Sequence, residues 1–139
     1  MIRIRFQASV AAAGLLLASA ALTQEPAPRP VATITQLMQA MIIPASNALF
    51  NVPRQVPGDD AGWDAVRNQA VILAESGNLL MVGDRAGDSG VWMETSRALT
   101  DAGEAALAAA LARDVDAITS VGDQIIDACE RCHEKHWIR

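Results

Sequence analysis

The 139-residue chain has no tyrosine, two phenylalanines and three tryptophans. Alanine and leucine outweigh valine, isoleucine and tyrosine, which disfavours sheet and favours helix. No run alternates apolar and polar residues with period two, so the βαβα rhythm of an α/β fold is absent. Basic residues are scarce: 11 Lys and Arg stand against 16 Asp and Glu, for a formal net charge of −5. They form no cluster, and nucleic acid is excluded as a partner because a phosphate backbone needs clustered Lys and Arg. There is no internal repeat, Ser-His-Asp layout, phosphate loop or carboxylate-rich cation loop. Only two cysteines occur.

What is present begins with a leader. Arg3 and Arg5 precede an uncharged apolar run from about Ala8 to Leu22, which contains Ala18-Ser19-Ala20. A positive end, an apolar run and an A-x-A cleavage pattern are the layout of a secretory signal peptide, expected over 1–20. The run is too short to cross a bilayer, which takes about 20 apolar residues. No cysteine near the cleavage point offers a lipid anchor. The alternative is an uncleaved N-terminal anchor. Export to the periplasm is the expectation, with no membrane span in the mature chain. Residues 21–30, with three prolines in Gln24–Pro30, read as an extended tether.

The remainder, 31–139, is one domain in size. It divides into four helical segments. The first, about Val31 to Asn51, carries Ile34, Leu37, Met38, Met41, Ile42, Ala45 and Leu49 at helical spacing. Thr33 or Thr35 is suited to cap it. Pro44 lacks a donor and clashes with the carbonyl of Ala40, which predicts a kink one turn past Met41. The second segment runs from about Asp60 to Val82, with Asp59 or Asp60 as cap and Trp63, Val66, Ala70, Leu73 and Leu80 on one face. Gly83 to Gly90 reads as a turn. The third spans about Ser89 to Arg113, with Trp92, Met93, Ser96 and Leu99 on a common face and Gly103 as a weak point. In the fourth, about Asp114 to Trp137, Ile118, Val121, Ile125, Cys129, Cys132, His133 and His136 advance by three or four residues. Asp114 and Asp116 sit at its start, where carboxylates favour the helix dipole. Four such helices with short connections predict an all-α fold, an antiparallel four-helix bundle.

The apolar stripe of the fourth segment runs into Cys129-Glu130-Arg131-Cys132-His133. C-x-x-C-H is the attachment signature for c-type haem. Two thiols must reach the vinyl groups on one porphyrin edge, and an imidazole must stand under the iron. Helix positions i, i+3 and i+4 share a face and meet both needs. The other imidazole nitrogen then calls for an acceptor. Three rivals exist. A Cys129–Cys132 disulfide leaves the histidine unexplained and strains one helical turn. A thioredoxin-like pair belongs at a helix start after a strand. A zinc site from Cys129, Cys132, His133 and His136 has four suitable donors, but along one straight helix they project outward rather than converge.

A C-x-x-C-H motif on the last of four helices resembles the class II c-type cytochromes, the cytochrome c-prime group and its low-spin, methionine-ligated relatives. The resemblance covers about Val31 to Trp137. It implies thioether links at Cys129 and Cys132, His133 as proximal iron ligand and one haem c per chain. Members commonly carry an aromatic residue three places after the ligand histidine and a basic one four places after. Here His136 and Trp137 stand there, so the proximal surroundings differ. The resemblance also implies that the first helix covers the distal face, where Met38 or Met41 would be the distal ligand; the competing reading is that both are core filler. Thioether ligation suits electron transfer, and an open distal site suits diatomic gas binding. His136 reads as a surface or propionate-contacting residue. Trp63 and Trp92 are candidates to pack against the macrocycle, as ordinary burial also predicts. The expected function is a periplasmic one-electron carrier, not an enzyme, serving redox partner proteins that the sequence does not name. The alternatives are a five-coordinate gas-binding haem protein and a haem-free bundle with a Cys/His zinc site. Class II members often form homodimers through their early helices.

Overall fold

Thr33 begins the ordered helical structure by a reciprocal cap. Its hydroxyl accepts from the Gln36 amide (3.2 Å), while the Gln36 side chain accepts from the Thr33 amide (2.9 Å). The computed structural model describes residues 28–88 and 90–136. The expected signal peptide, most of the tether, Ser89 and Trp137 lie outside them. After the cap come helix α1 (Ile34–Leu37), a π turn (Met38–Ile42) and α2 (Ile43–Asn51), which run on as one rod. Then follow α3 (Asp60–Leu80), a 3-10 turn (Gly83–Arg85), α4 (Val91–Ala112) and α5 (Val115–His136). The described residues are all helix and connection, and the four rods pack against one another.

Just ahead of Pro44, where a kink is predicted, the helix departs from regular α geometry. The helix widens before the proline: the Ile43 amide donates back to Met38 O, five residues away. Proline has no amide to give and its ring crowds the carbonyl four residues earlier. A π turn relieves both by inserting extra backbone ahead of it.

The core is most extensive between α3 and α4, where Leu73, Leu80, Trp92 and Leu99 are buried. The two backbones approach closely at two glycines. A Cβ on Gly103 would stand 2.4 Å from the Ala74 amide nitrogen, and one on Gly77 would stand 2.7 Å from the Ser96 carbonyl oxygen. Gly103, weak for helix propensity, is therefore required by packing. The first rod and α5 share a far less extensive seam.

The connections carry specific chemistry. Asp59 caps α3 by accepting from the Gly62 amide (2.8 Å). Gly83 takes φ +59°, a conformation that favours glycine. Two residues on, Arg85 is only 8% exposed and, among the described residues, ion-pairs with no carboxylate. Its guanidinium donates to Ala32 O (2.8 and 3.0 Å) and to Leu79 O (3.1 Å). One side chain thus binds the end of α3 to the chain entering α1, and fixes where the first rod starts. At the other end of α4, Arg113 adopts φ 55° and the Asp114 amide donates to Ala109 O (2.9 Å), a Schellman-type stop. Asp114 then caps α5 by accepting from Ala117 (2.9 Å).

Candidate functional site

Cys129, Cys132 and His133 stand in the last two turns of α5. Ile118, Val121, Ile125 and Ala128 are the buried face of this helix, and the stripe continues into Cys132, also buried. Cys129 and His133 flank it, half-buried. Spacing of three and four residues places all three on the side of α5 that looks into the molecule. His133, Lys135 and His136 also occupy the last turn, where positive charge is favoured by the helix dipole.

Three clefts open beside these residues, and all three are lined by both Met38 and His133. The innermost lies among Ile42, Leu80, Ser96, Leu99, Cys129 and Cys132 and is narrow and almost wholly apolar. A second is bordered by Ile34, Trp92, Cys132 and His136. The third is bordered by Ile42, Ser46, Phe50 and Cys129. Space therefore surrounds the line from the first rod to the motif on several sides. A larger surface hollow lies between α2 and α5 near Arg54 and Asp123, and has neither thiol nor imidazole.

The structure brings Met38 to the motif and does not bring Met41 there. Met41 lines a separate hollow with Val31, Leu37 and Ala40. In an α-helix, residues three apart share a face. The π turn holding both methionines takes more residues per revolution, so their directions diverge. Of the tryptophans, Trp92 borders the second cleft, while Trp63 is buried in the core and borders none of the three. Met93 packs partly buried against the core, and Met81 is half-buried at the end of α3.

Charge contacts pin the end of α5 to the start of α4. Asp88 accepts from the Gly90 amide (2.7 Å) and the Trp92 amide (3.3 Å), and so caps α4 from two residues upstream of Gly90. Its other oxygen lies 2.9 Å from His136 Nε2 and 3.7 Å from Lys135 Nζ. Among the described residues no hydrogen bond reaches this histidine nitrogen. Burial pushes the Asp88 carboxyl up, but the two amides and the two neighbouring cations outweigh it and hold the group below its ordinary value of 3.8. The His136 ring also meets Trp92 edge-on, centroids 5.3 Å apart. Arg131 pairs with Glu94 of α4. Trp92 donates to Leu80 O (2.9 Å), so the clamp reaches the end of α3.

Both thiols are unbridged. Burial, the neighbouring Cys132 and Glu130 push the Cys129 thiol above its ordinary value of 9.0. Redox-active cysteine pairs have depressed values, so the environment here is of the opposite kind. Among the described residues, no three His, Cys, Asp or Glu side chains gather into a metal-binding group. Cys129, Cys132, His133 and His136 thus lack the convergence of a tetrahedral zinc site.

The chain matches no protein-family model, no curated protein and no solved structure.

Two site residues escaped the periodicity reading. Ser46 continues the line Met38, Ile42, Ser46 in steps of four, and that continuation was the available signal. Asp88 had none, because a turn aspartate reads as a turn former whatever helix it later meets.

Proposed function

We propose that the chain is an exported monohaem c-type cytochrome that carries one electron. It would be an antiparallel four-helix bundle whose last helix holds the haem through thioether links at Cys129 and Cys132, with His133 as iron ligand. The observation that carries this reading is the Cys-x-x-Cys-His face of α5 turned to clefts that all reach Met38.

The residues fit such a group. A macrocycle needs an apolar slot with few polar contacts, and the innermost cleft offers Ile42, Leu80, Leu99 and Ala128. Two buried hydroxyls, Ser96 at this cleft and Ser46 at the one bordered by Phe50 and Cys129, have no hydrogen-bond partner among the described residues. When bound, haem iron supplies a one-electron ferric–ferrous couple. The chain's own residues bind and exclude water. Leu80 and Leu99 line the innermost cleft, the Asp88 and Glu94 contacts hold the tip of α5, and Met38 would offer its thioether to the iron. A thioether ligand raises the potential and suits electron transfer over gas binding. No described helix is long and apolar enough to cross a membrane. The Arg3–Leu22 leader supports a periplasmic location, where haem c would be attached.

The test is the intact mass and haem stain of protein made in a host with a working attachment system. Covalent haem on the wild type, lost in Cys129→Ala/Cys132→Ala, is expected; the bare polypeptide mass overturns the reading. With haem attached, the ferric sulfur-to-iron charge-transfer band should vanish in Met38→Ala and persist in Met41→Ala. A high-spin ferrous wild type that takes up CO readily would instead favour gas binding.

A further inference from the structure

Ser96 on α4 is 2% exposed and Ser46 on α2 is 6% exposed, yet neither hydroxyl has a hydrogen-bond partner among the described residues. Buried hydroxyls are ordinarily paired, and an unpaired one costs stability. Their neighbours show that this is not a habit of the fold. Ser76, fully buried on α3, donates to Ile72 O (2.6 Å), and Thr95 donates to Val91 O (2.7 Å). Serine and threonine in these helices can bond back to the preceding turn, and Ser96 and Ser46 do not. Both border the clefts around the motif: Ser96 the innermost one with Cys129 and Cys132, Ser46 the one with Phe50 and Cys129. They approach from different helices, so the two hydroxyls are separate polar points in an otherwise apolar surround.

We propose that Ser96 and Ser46 are the hydrogen-bonding contacts that seat the occupant of this cleft. The inference rests on the haem reading above and adds a requirement to it. The occupant must present hydrogen-bond acceptors or donors at two places, either on the macrocycle itself or through a water carried in with it. A purely hydrocarbon occupant would leave both hydroxyls as unpaired as they are in the protein alone. The two serines are binding residues and take no part in electron exchange.

The experiment uses full-length protein with haem attached, comparing wild type with Ser96→Ala, Ser46→Ala and the double variant. Ser96→Cys keeps the size with a weaker donor, in case the alanine variant folds poorly. Ser76→Ala is the control, because its hydroxyl serves the fold alone. Haem content is read by mass, seating by the haem-methyl proton shifts of the ferric form, and direct contact by the propionate-bending Raman band. Ser76→Ala should lower the melting midpoint and leave the haem signals as in wild type. Ser96→Ala and Ser46→Ala should each displace the haem-methyl shifts, with the largest displacement in the double variant. A moved propionate band marks direct contact with the macrocycle, and moved methyl shifts with an unmoved band mark a bridging water. Haem signals that superimpose on wild type in both alanine variants overturn the inference. Wild type without haem overturns the reading beneath it instead.

Discussion

The α3–α4 seam and the seam between the first rod and α5 are built on opposite principles. At the first, backbones approach so closely that Gly103 and Gly77 have no room for a Cβ. At the second, a Cβ on Gly122 would meet the Phe50 ring at 3.5 Å, an ordinary contact, and clefts open along the same side. The first seam pairs its buried hydroxyls at Ser76 and Thr95 but not at Ser96. The second leaves Ser46 unpaired, and Ser96 on α4 faces its clefts. One half of this small bundle is close-packed and the other keeps open space along its seam.

The largest effect should come from closing the tight seam. Gly103→Ala forces a methyl into the Ala74 backbone, and overpacking of this kind costs about 3 kcal/mol. Urea unfolding should show the loss as a lower midpoint at unchanged slope; a loss well under 1 kcal/mol would mean the seam is not rigid. Next comes Arg85→Met, which keeps the stem but strips three hydrogen bonds to Ala32 and Leu79. It should cost about 2 kcal/mol, since charged donors contribute more than neutral ones and two part-buried carbonyls lose a partner. Hydrogen exchange should rise first in α1 and the π turn, and a uniform rise would argue against a local anchor.

Gly122→Ala is the mirror of the first substitution. The loose seam has room for the methyl, and helix propensity favours alanine by about 0.5–1 kcal/mol. The expected result is a small gain in unfolding free energy, and a loss as large as that of Gly103→Ala would erase the contrast. The smallest effect concerns acid. The Asp88 carboxyl is held below its ordinary value in the folded chain. Its stabilising contribution is therefore complete above the ordinary carboxylate range and disappears as pH falls through the folded value. Melting midpoints of the wild type should drop faster than those of Asp88→Asn as pH is taken below about 4. Parallel curves would show that the α4–α5 clamp does not depend on this charge.

Much of the scaffold is legible in the sequence, because its signals are local. Asp59 and Thr33 are helix starts by residue type, and Asp114 caps α5 as its position suggests. The stripe through Ile118, Val121 and Ile125 places Cys129, Cys132 and His133 on a shared face before any fold is known. Arg85 was invisible in Gly83 to Gly90, where glycine and aspartate spell only a turn; its burial depends on Ala32 arriving from 53 positions away. Met38 and Met41 looked alike for a related reason. A uniform helical period puts both on the core stripe, and the period is not uniform there.

The order of residues alone determined the helical segments, the caps at Thr33, Asp59 and Asp114 and the thiol–thiol–imidazole face, since each depends on neighbours within one or two turns. Only the tertiary structure decided which methionine meets that face, which seam is tight and which hydroxyls are left unpaired. Those outcomes depend on how far apart separate rods come to rest, and that distance is set by side chains remote in sequence.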